Sequence, residues 1–210
     1  MFKALTANLM IAFLVLLQST ALAGLAPLDE SYGEIAYSGP GIPVLCNVPD
    51  GSGNPFTSAQ VEPGISVDAT MKVYLRDGMN DPIINYPAED IWLESLDNGL
   101  IACQGGSTAD GPSDQNGVAT WVSPLRAGGS SQALTQVVIN GMPLTTSPGL
   151  ALHHVSPDID GNLVVNLMDV IFFAQDYANG YAFQSDFYVD MTVNIVDLSK
   201  LAMAIGADCP

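Results

Sequence analysis

The sequence DIDGNLVVNLMD at residues 158–169 decides the C-terminal part of the fold, because its pattern returns as DFYVDMTVNIVD at residues 186–197. Both copies carry oxygen-bearing side chains at loop positions one, five, nine and twelve, and an apolar residue at position eight. A hard cation such as Ca²⁺ prefers about six to eight oxygen ligands, which a loop with polar side chains at alternate positions can supply. The repeat therefore predicts a pair of cation sites.

The chain around each copy predicts a helix after the loop and none before it. Pro157 favours an extended chain ahead of the first loop, and Gly180 closes the first repeat shortly before the second loop begins. Apolar residues at helical spacing follow both loops: Leu167, Val170, Ile171, Ile195, Leu198, Leu201, Ala202 and Ile205. The predicted unit is a loop followed by a helix, used twice.

This paired unit, with Asn at position nine and Asp at position twelve, resembles the type I dockerin domain over roughly residues 156–208. The resemblance implies a small all-α domain at residues 158–210 that folds around one or two Ca²⁺ ions. It also implies docking to a cohesin-like protein partner in polysaccharide degradation. In many dockerins loop positions ten and eleven contribute to partner choice, and here they are apolar: Leu167, Met168, Ile195 and Val196. An alternative is that these four residues pack against the chain's own β region.

The two predicted sites differ in their ligands. The first comprises Asp158, Asp160, Asn162, the Val164 carbonyl, Asn166 and Asp169, and the second comprises Asp186, Asp190, the Thr192 carbonyl, Asn194 and Asp197. We expect the second site to be weaker or empty, because Tyr188 stands at position three. Position six, usually Gly, is Leu163 or Met191, which predicts either strained loops or a different loop shape. An alternative is that the acidic turns only cap the helices, without metal.

The first 23 residues predict export. Lys3 precedes an apolar run over residues 9–17, and a small-residue site, Ala21-Leu22-Ala23, ends the segment. This is the pattern of a secretory signal peptide, and the run is shorter than the roughly 20 residues of a membrane span. We expect a secreted protein, extracellular or associated with the cell surface, with no membrane insertion after signal cleavage.

The charge excludes one class of partner. The chain has 5 Lys and Arg against 22 Asp and Glu, a formal net charge of -17. Such a chain repels nucleic acid and anionic membranes. We therefore expect neither as a ligand.

The central region predicts a mostly β fold. Strand patterns occur near residues 71–76, 91–94, 100–103, 118–122 and 134–139, separated by turn dipeptides such as Asn98-Gly99 and Asn140-Gly141. Short strands at this spacing favour an antiparallel β-sandwich. The order of a strand, RDGMNDP at residues 76–82, a further strand and then DQNGVAT at residues 114–120 resembles bacterial immunoglobulin-like domains. We place this sandwich at residues 42–152, between an N-terminal linker at 24–41 and a second linker at 153–157.

The three cysteines predict one disulfide in an exported chain. Cys46 and Cys103 lie in the same predicted domain, so we expect them to pair. Cys209 is left near the C-terminus, either free or bonded to another chain.

No catalytic constellation is visible, so we expect a non-catalytic protein. His153 and His154 are adjacent and fall in the predicted second linker, which favours packing over metal binding or a triad. Two further hypotheses stay open. One is a carbohydrate-binding or adhesive module with an aromatic platform, drawn from Tyr74, Tyr86, Trp92 and Trp121. The other is a polysaccharide-acting hydrolase with a carboxylate pair, drawn from Glu89, Asp90 and Glu94.

Overall fold

The computed structural model describes residues 28–210. The predicted signal peptide and residues 24–27 lie outside the described residues. Neither α-helix in the described part has the length and apolar character of a membrane span.

The described part is mostly β, with four sheets and two α-helices late in the chain. The strands are β1 Tyr32–Ile35, β2 Val44–Cys46, β3 Ala59–Val61, β4 Ile65–Val67, β5 Met71–Tyr74, β6 Ile91–Ser95, β7 Ile101–Ala102, β8 Val118–Trp121, β9 Ala127–Gly128, β10 Thr135–Ile139, β11 Met142–Pro143 and β12 His153–Val155. The helices are α1 Leu167–Asn179 and α2 Ile195–Ala204. This arrangement is consistent with the predicted β region followed by a small helical region.

The sheets pair strands that are distant in the chain. Their orders are β1-β5-β8, β11-β10-β6, β12-β2-β3-β4 and β7-β9. All these pairings are antiparallel except that of β12 with β2, which is parallel. The five strands predicted from alternation are present as β5, β6, β7, β8 and β10.

The main core lies between these strands, and the predicted alternation explains it. In β5 the side chains of Met71 and Val73 are fully buried, whereas Lys72 and Tyr74 between them are partly exposed. Trp121 on the neighbouring β8 is also fully buried, and its indole N–H donates to the Ser107 carbonyl at 3.0 Å. The main core therefore contains a fully buried tryptophan whose indole N–H has a hydrogen-bond partner.

Both predicted linkers contain strands. Within residues 24–41, β1 pairs with β5, so Tyr32–Ile35 belongs to a sheet. Within residues 153–157, β12 pairs with β2, so the predicted second linker is wrong over His153–Val155. The sequence pattern failed here because each strand is short and its partner lies far away in the chain.

His154 anchors β12 in the interior of the protein, although β12 is the edge strand of its sheet. Its ring is fully buried, with Nε2 2.8 Å from Thr135 Oγ1 and Nδ1 3.1 Å from Asn47 Nδ2. The Thr135 hydroxyl donates to the Leu152 carbonyl at 2.8 Å, so Nε2 is the donor to Thr135 and Nδ1 accepts from Asn47. Burial lowers the pKa of His154 to about 3, which keeps the ring neutral. The histidine is a structural element of the sheet.

A second core joins the helices to the β region. Leu201 of α2 and Phe173 of α1 are buried in one cluster with Val44, Cys46 and Val155 of β2 and β12. The tail therefore completes its core with strand residues of the preceding region, and the two parts form one packed unit.

The predicted disulfide between Cys46 and Cys103 is wrong. Cys103 is bonded to Cys209, with their Cα atoms 5.7 Å apart, and Cys46 is a free thiol inside the second core. The C-terminal segment reaches Cys103 because it pairs with the first loop. Gly206 N donates to the Val165 carbonyl, and Val165 N donates to the Ala207 carbonyl, both at 2.9 Å. Sequence spacing alone cannot report this contact.

Replacing Cys209 with Ser should lower the free energy of unfolding by roughly 4–5 kcal/mol, because the bond closes a chain segment of 106 residues. Cys103→Ser and the double variant should lose about the same amount, since all three remove one cross-link. Denaturant unfolding measures the loss, and non-reducing peptide mapping identifies the bond. A peptide linking Cys46 to Cys103 would contradict this pairing.

Candidate metal centre

The first acidic loop, residues 158–169, is folded around the carboxylate of Asp158. Asp158 Oδ2 accepts from the Leu163 amide at 2.8 Å, and Oδ1 accepts from the Asn162 amide at 3.1 Å. The side chain is fully buried. Gly128 of β9 lies directly against it, and a Cβ at that glycine would collide with the carboxylate. The acid at loop position one is thus held at the junction of the loop and the β region.

Asp169 closes the same loop from position twelve. Its Oδ1 accepts from the Ile159 amide at 2.8 Å and from the Asp160 amide at 3.3 Å, and its Oδ2 accepts from the Asn166 amide at 2.8 Å. The Asn166 side chain in turn accepts from the Met168 amide, which forms a capping box at the start of α1. The buried Asp169 carboxylate therefore caps the N-terminus of α1 and also connects the two ends of the loop through hydrogen bonds.

The second acidic loop, residues 186–197, repeats this hydrogen-bond pattern. Asp186 accepts from the amides of Asp190 at 3.1 Å and Met191 at 2.9 Å. Asp197 accepts from the amides of Phe187 at 2.8 Å, Tyr188 at 3.3 Å and Asn194 at 3.0 Å. Asn194 caps α2 as Asn166 caps α1. The sequence repeat is therefore a repeat of backbone geometry.

Both loops have left-handed residues at positions four and six. These are Gly161 and Leu163 in the first loop, with φ of 70° and 69°, and Val189 and Met191 in the second, with φ of 56° and 67°. The left-handed conformation costs a side-chain-bearing residue roughly 1–2 kcal/mol. Of the two alternatives for position six, the strained loop is the one observed.

Three carboxylates of the first loop converge on one point. One oxygen each of Asp158, Asp160 and Asp169 lies within 4.8 Å of the other two. Ligands on opposite sides of a Ca²⁺ ion are about 4.6–5.2 Å apart, twice the usual Ca–O distance, so one cation can bind all three. Within residues 28–210, no other group of three acidic, His or Cys side chains meets this distance.

The second loop lacks this convergence, although it also has three acids. Tyr188 stands at position three, the third acid is Asp190 at position five, and the Lys200 ammonium lies 4.9 Å from the centre of the Tyr188 ring. Lys200 Nζ also lies 3.4 Å from the Phe187 carbonyl and 3.3 Å from Asn54 Oδ1. The positively charged side chain of Lys200 thus lies beside the second loop. The sequence analysis did not predict this contact. It arises because Lys200, the sixth residue of α2, reaches back to Phe187 and Tyr188 in the loop before the helix.

The remaining predicted ligands of the first loop are engaged with the protein. The Asn166 amide donates to the Val164 carbonyl at 2.9 Å, and the Asn162 side chain lies 3.0 Å from Asp160 Oδ2. In the second loop the Asn194 amide lies 3.4 Å from the Thr192 carbonyl. The structure brings together the three acids of the first site, whereas the Asn166 amide is paired with the Val164 carbonyl and the Asn162 amide with the Asp160 carboxylate.

Burial of the acids has an electrostatic consequence. Desolvation raises the pKa of Asp158 from 3.8 to about 6, opposed by the hydrogen bond from Leu163 and reinforced by the charges of Asp169 and Asp160. Burial also raises the pKa values of Asp186 and Asp197. A cation in the first loop would remove the repulsion among its three carboxylates.

The four predicted partner-binding residues are exposed at the N-terminal ends of the two helices. Leu167 is 75% exposed and Ile195 is 70% exposed, and Met168 and Val196 are each 46% exposed. The alternative that these residues pack against the β region is therefore wrong. We refer to the four residues as the docking face.

The other residues considered for function are separated by the fold. Trp121 is fully buried, Tyr74 stacks on Tyr32, and Tyr86 packs against the main core, so they do not form one platform with Trp92. His153 is partly exposed and contacts the Phe183 ring edge-on. Glu89 and Glu94 line a cleft together with Trp92.

Comparison of the chain with protein-family models, with curated proteins and with solved structures gives no match.

Acidification should weaken cation binding to the first loop. Because the pKa of Asp158 is about 6, a cation must displace a proton below that pH. Calcium affinity measured by calorimetry should be nearly constant above pH 7 and fall about tenfold per pH unit well below pH 6.

The stability of the metal-free protein should change in the opposite sense. A raised carboxyl pKa stabilises the folded state below the unfolded value near 3.8, and this contribution is lost as pH rises through about 6. Wild type should therefore lose stability relative to Asp158→Asn between pH 4 and pH 7 in EDTA. A difference independent of pH would show that Asp158 does not titrate in this range. Asp29→Asn provides a control at an exposed acid.

Proposed function

We propose that this chain is an exported, non-catalytic calcium-binding protein that uses its two-helix tail to dock the β region onto a protein partner. The observation that supports this most strongly is the convergence of Asp158, Asp160 and Asp169 within 4.8 Å at the start of the tail. The function rests on the first acidic loop as the calcium site and on the docking face as the contact surface.

The donor set favours Ca²⁺ over other common ions. The converging atoms are carboxylate oxygens, which suit hard cations, whereas Zn²⁺ sites usually include nitrogen or sulfur ligands. Mg²⁺ demands octahedral geometry at about 2.0–2.1 Å and keeps much of its water. A loop with two buried acids and one exposed acid fits the longer bonds and higher coordination number of Ca²⁺ better.

The chain's own residues define what calcium would change. Asp158 lies against β9, and Asp169 caps the start of α1. Asp160 lies between them in the sequence and is exposed to solvent. Bound calcium would neutralise the repulsion that opposes their approach. Because the tail already shares a core with β2 and β12, calcium would fix the first loop and the start of α1 within a folded unit.

One calcium site is proposed to dominate. In the second loop Tyr188 stands where Asp160 stands in the first, and Lys200 supplies a nearby positive charge. The three acids there, Asp186, Asp190 and Asp197, do not converge as those of the first loop do, and the lysine would repel a cation. We therefore expect a single tight binding event, with any second ion much weaker.

The docking face is proposed because its four apolar side chains are exposed and occupy equivalent positions in the two repeats. Equivalent positions of the two repeats present large apolar side chains to solvent, beside a groove of about 310 Å³ between α1 and α2. Exposed apolar patches of this kind are typical of protein interaction sites. The resemblance to dockerins makes a cohesin-like domain the partner to test first, and the resemblance of the β region to immunoglobulin-like domains gives it the role of the docked cargo.

Calcium titration of residues 24–210 tests the metal site. Calorimetry should give about one tight ion per chain, and the unfolding free energy should rise by about 2.7 kcal/mol at a calcium concentration one hundred times the Kd. Asp158→Asn with Asp169→Asn should abolish both effects. The matched pair, Asp186→Asn with Asp197→Asn, should retain the tight event. Equal melting in calcium and in EDTA would contradict the proposal.

Binding to a recombinant type I cohesin domain tests the docking face. Leu167→Asp with Ile195→Asp should abolish binding in calcium, because each change puts a charge into the proposed contact. Met203→Asp is the matched control, since Met203 is 76% exposed elsewhere on α2. Binding that survives the double change would show that another surface makes the contact. No binding by the unmodified chain would exclude this cohesin as the partner.

A further inference from the structure

An open cleft of about 690 Å³ lies beside β6 in the β region. Its volume is within the range of about 300–1,000 Å³ that is typical of small-molecule sites. The polar and aromatic side chains that line it are Glu89, Trp92, Glu94, Asn98, Gln104 and Thr108. Among residues 28–210, no lysine, arginine or histidine lines the cleft.

The orientation of the Trp92 ring is fixed by a hydrogen bond from its indole N–H. In β6 the side chains of Ile91 and Leu93 face the core, which places Trp92 and Glu94 on the outer face. The Trp92 indole N–H donates to Glu94 Oε1 at 2.8 Å, and the Gln136 amide lies 3.4 Å from Glu94 Oε2. The indole is therefore oriented before any ligand arrives, which lowers the entropic cost of binding.

A second wall of the cleft, at residues 103–108, is bridged to β6 between Thr108 and Trp92 and is also fixed. Cys103 is bonded to Cys209, and the Gly106 amide donates to the Cys103 carbonyl at 2.8 Å. The Thr108 hydroxyl donates to the Gly105 carbonyl at 3.0 Å. A side chain at Gly106 would collide with the Arg126 carbonyl, so this wall lies tightly against the neighbouring segment. The cleft therefore has a defined shape.

We infer that this cleft binds a neutral oligosaccharide, with one sugar ring stacked on Trp92 and its hydroxyls bound by the surrounding polar side chains. A sugar presents an apolar C–H face together with hydroxyls that both donate and accept hydrogen bonds. The cleft offers the matching groups: an aromatic ring, the acceptors Glu89 and Glu94, and the amides of Asn98 and Gln104, which can donate as well as accept. A cationic ligand would use only the ring and the acceptors.

The inference is independent of the proposed calcium site, because the lining residues include none of the proposed metal ligands. Binding should be measured on residues 24–210 with the disulfide intact, using the hexaoses of glucose, xylose and mannose. Tryptophan fluorescence is a direct readout. The chain has two tryptophans, and Trp121 is fully buried, so a ligand-dependent change reports on Trp92.

At least one neutral hexaose should give a saturable fluorescence change and a matching calorimetric Kd. Trp92→Ala should weaken that Kd at least about tenfold, the size expected for loss of a stacked ring. Gln104→Ala should weaken it several-fold, and this exposed position avoids the risk of misfolding. Tyr32→Ala, an exposed aromatic on β1 in a different sheet, should bind normally.

Three results would overturn the inference. One is the absence of binding by all three hexaoses at millimolar concentration. Another is a Kd that is unchanged in Trp92→Ala. The third is binding of a chitosan hexamer alone, which would identify the cleft as a site for cationic ligands.

Discussion

The structure depends on a buried carboxylate at the junction of its β and helical parts. Asp158 is removed from solvent by Gly128 on one side and by the amides of its own loop on the other. Two backbone donors compensate part of the desolvation, and the pKa of about 6 shows that they do not compensate all of it. Asp160 and Asp169 add like charge at the same point. The loop is therefore folded yet electrostatically unsatisfied, which is the condition under which a cation binds.

This junction is continuous with the rest of the molecule. Gly129 N donates to the Asp158 carbonyl at 2.8 Å, so the loop is bonded to the end of β9. β9 pairs with β7, whose Ile101 side chain lies against Gly161 of the loop and also lines the Trp92 cleft. The C-terminal segment pairs with the loop at Val165 and then carries Cys209 to Cys103. The acidic loop, the cleft wall and the C-terminus are thus connected by short contacts.

The sequence was sufficient where structure is encoded locally. The alternation at residues 71–76 predicted β5, and the Asn and Asp at loop positions nine and twelve recur as capping boxes in both repeats. It was insufficient where a contact joins distant segments. β12 has no periodicity of its own and exists because it pairs with β2, and the partner of Cys103 is 106 residues away. The core that the helices share with β2 and β12 was not predicted for the same reason. The apolar face of α2 indicates that the helix is buried on one side, but it does not indicate which surface covers that side.

The comparison of the two loops separates what the backbone requires from what a metal requires. Both loops have the same amide-to-carboxylate bonds and the same left-handed positions, although Val189 pays a steric cost there that Gly161 avoids. This shared geometry therefore belongs to the fold and is not itself evidence for a cation. The loops differ at positions three and five, which are Asp160 and Asn162 in the first loop and Tyr188 and Asp190 in the second. Asp160 accepts from the Asn162 amide at 3.0 Å and places its carboxylate beside those of Asp158 and Asp169, whereas Tyr188 packs against a lysine. The convergence of three carboxylates, which the first loop has and the second lacks, is therefore the feature that favours a cation in the first loop.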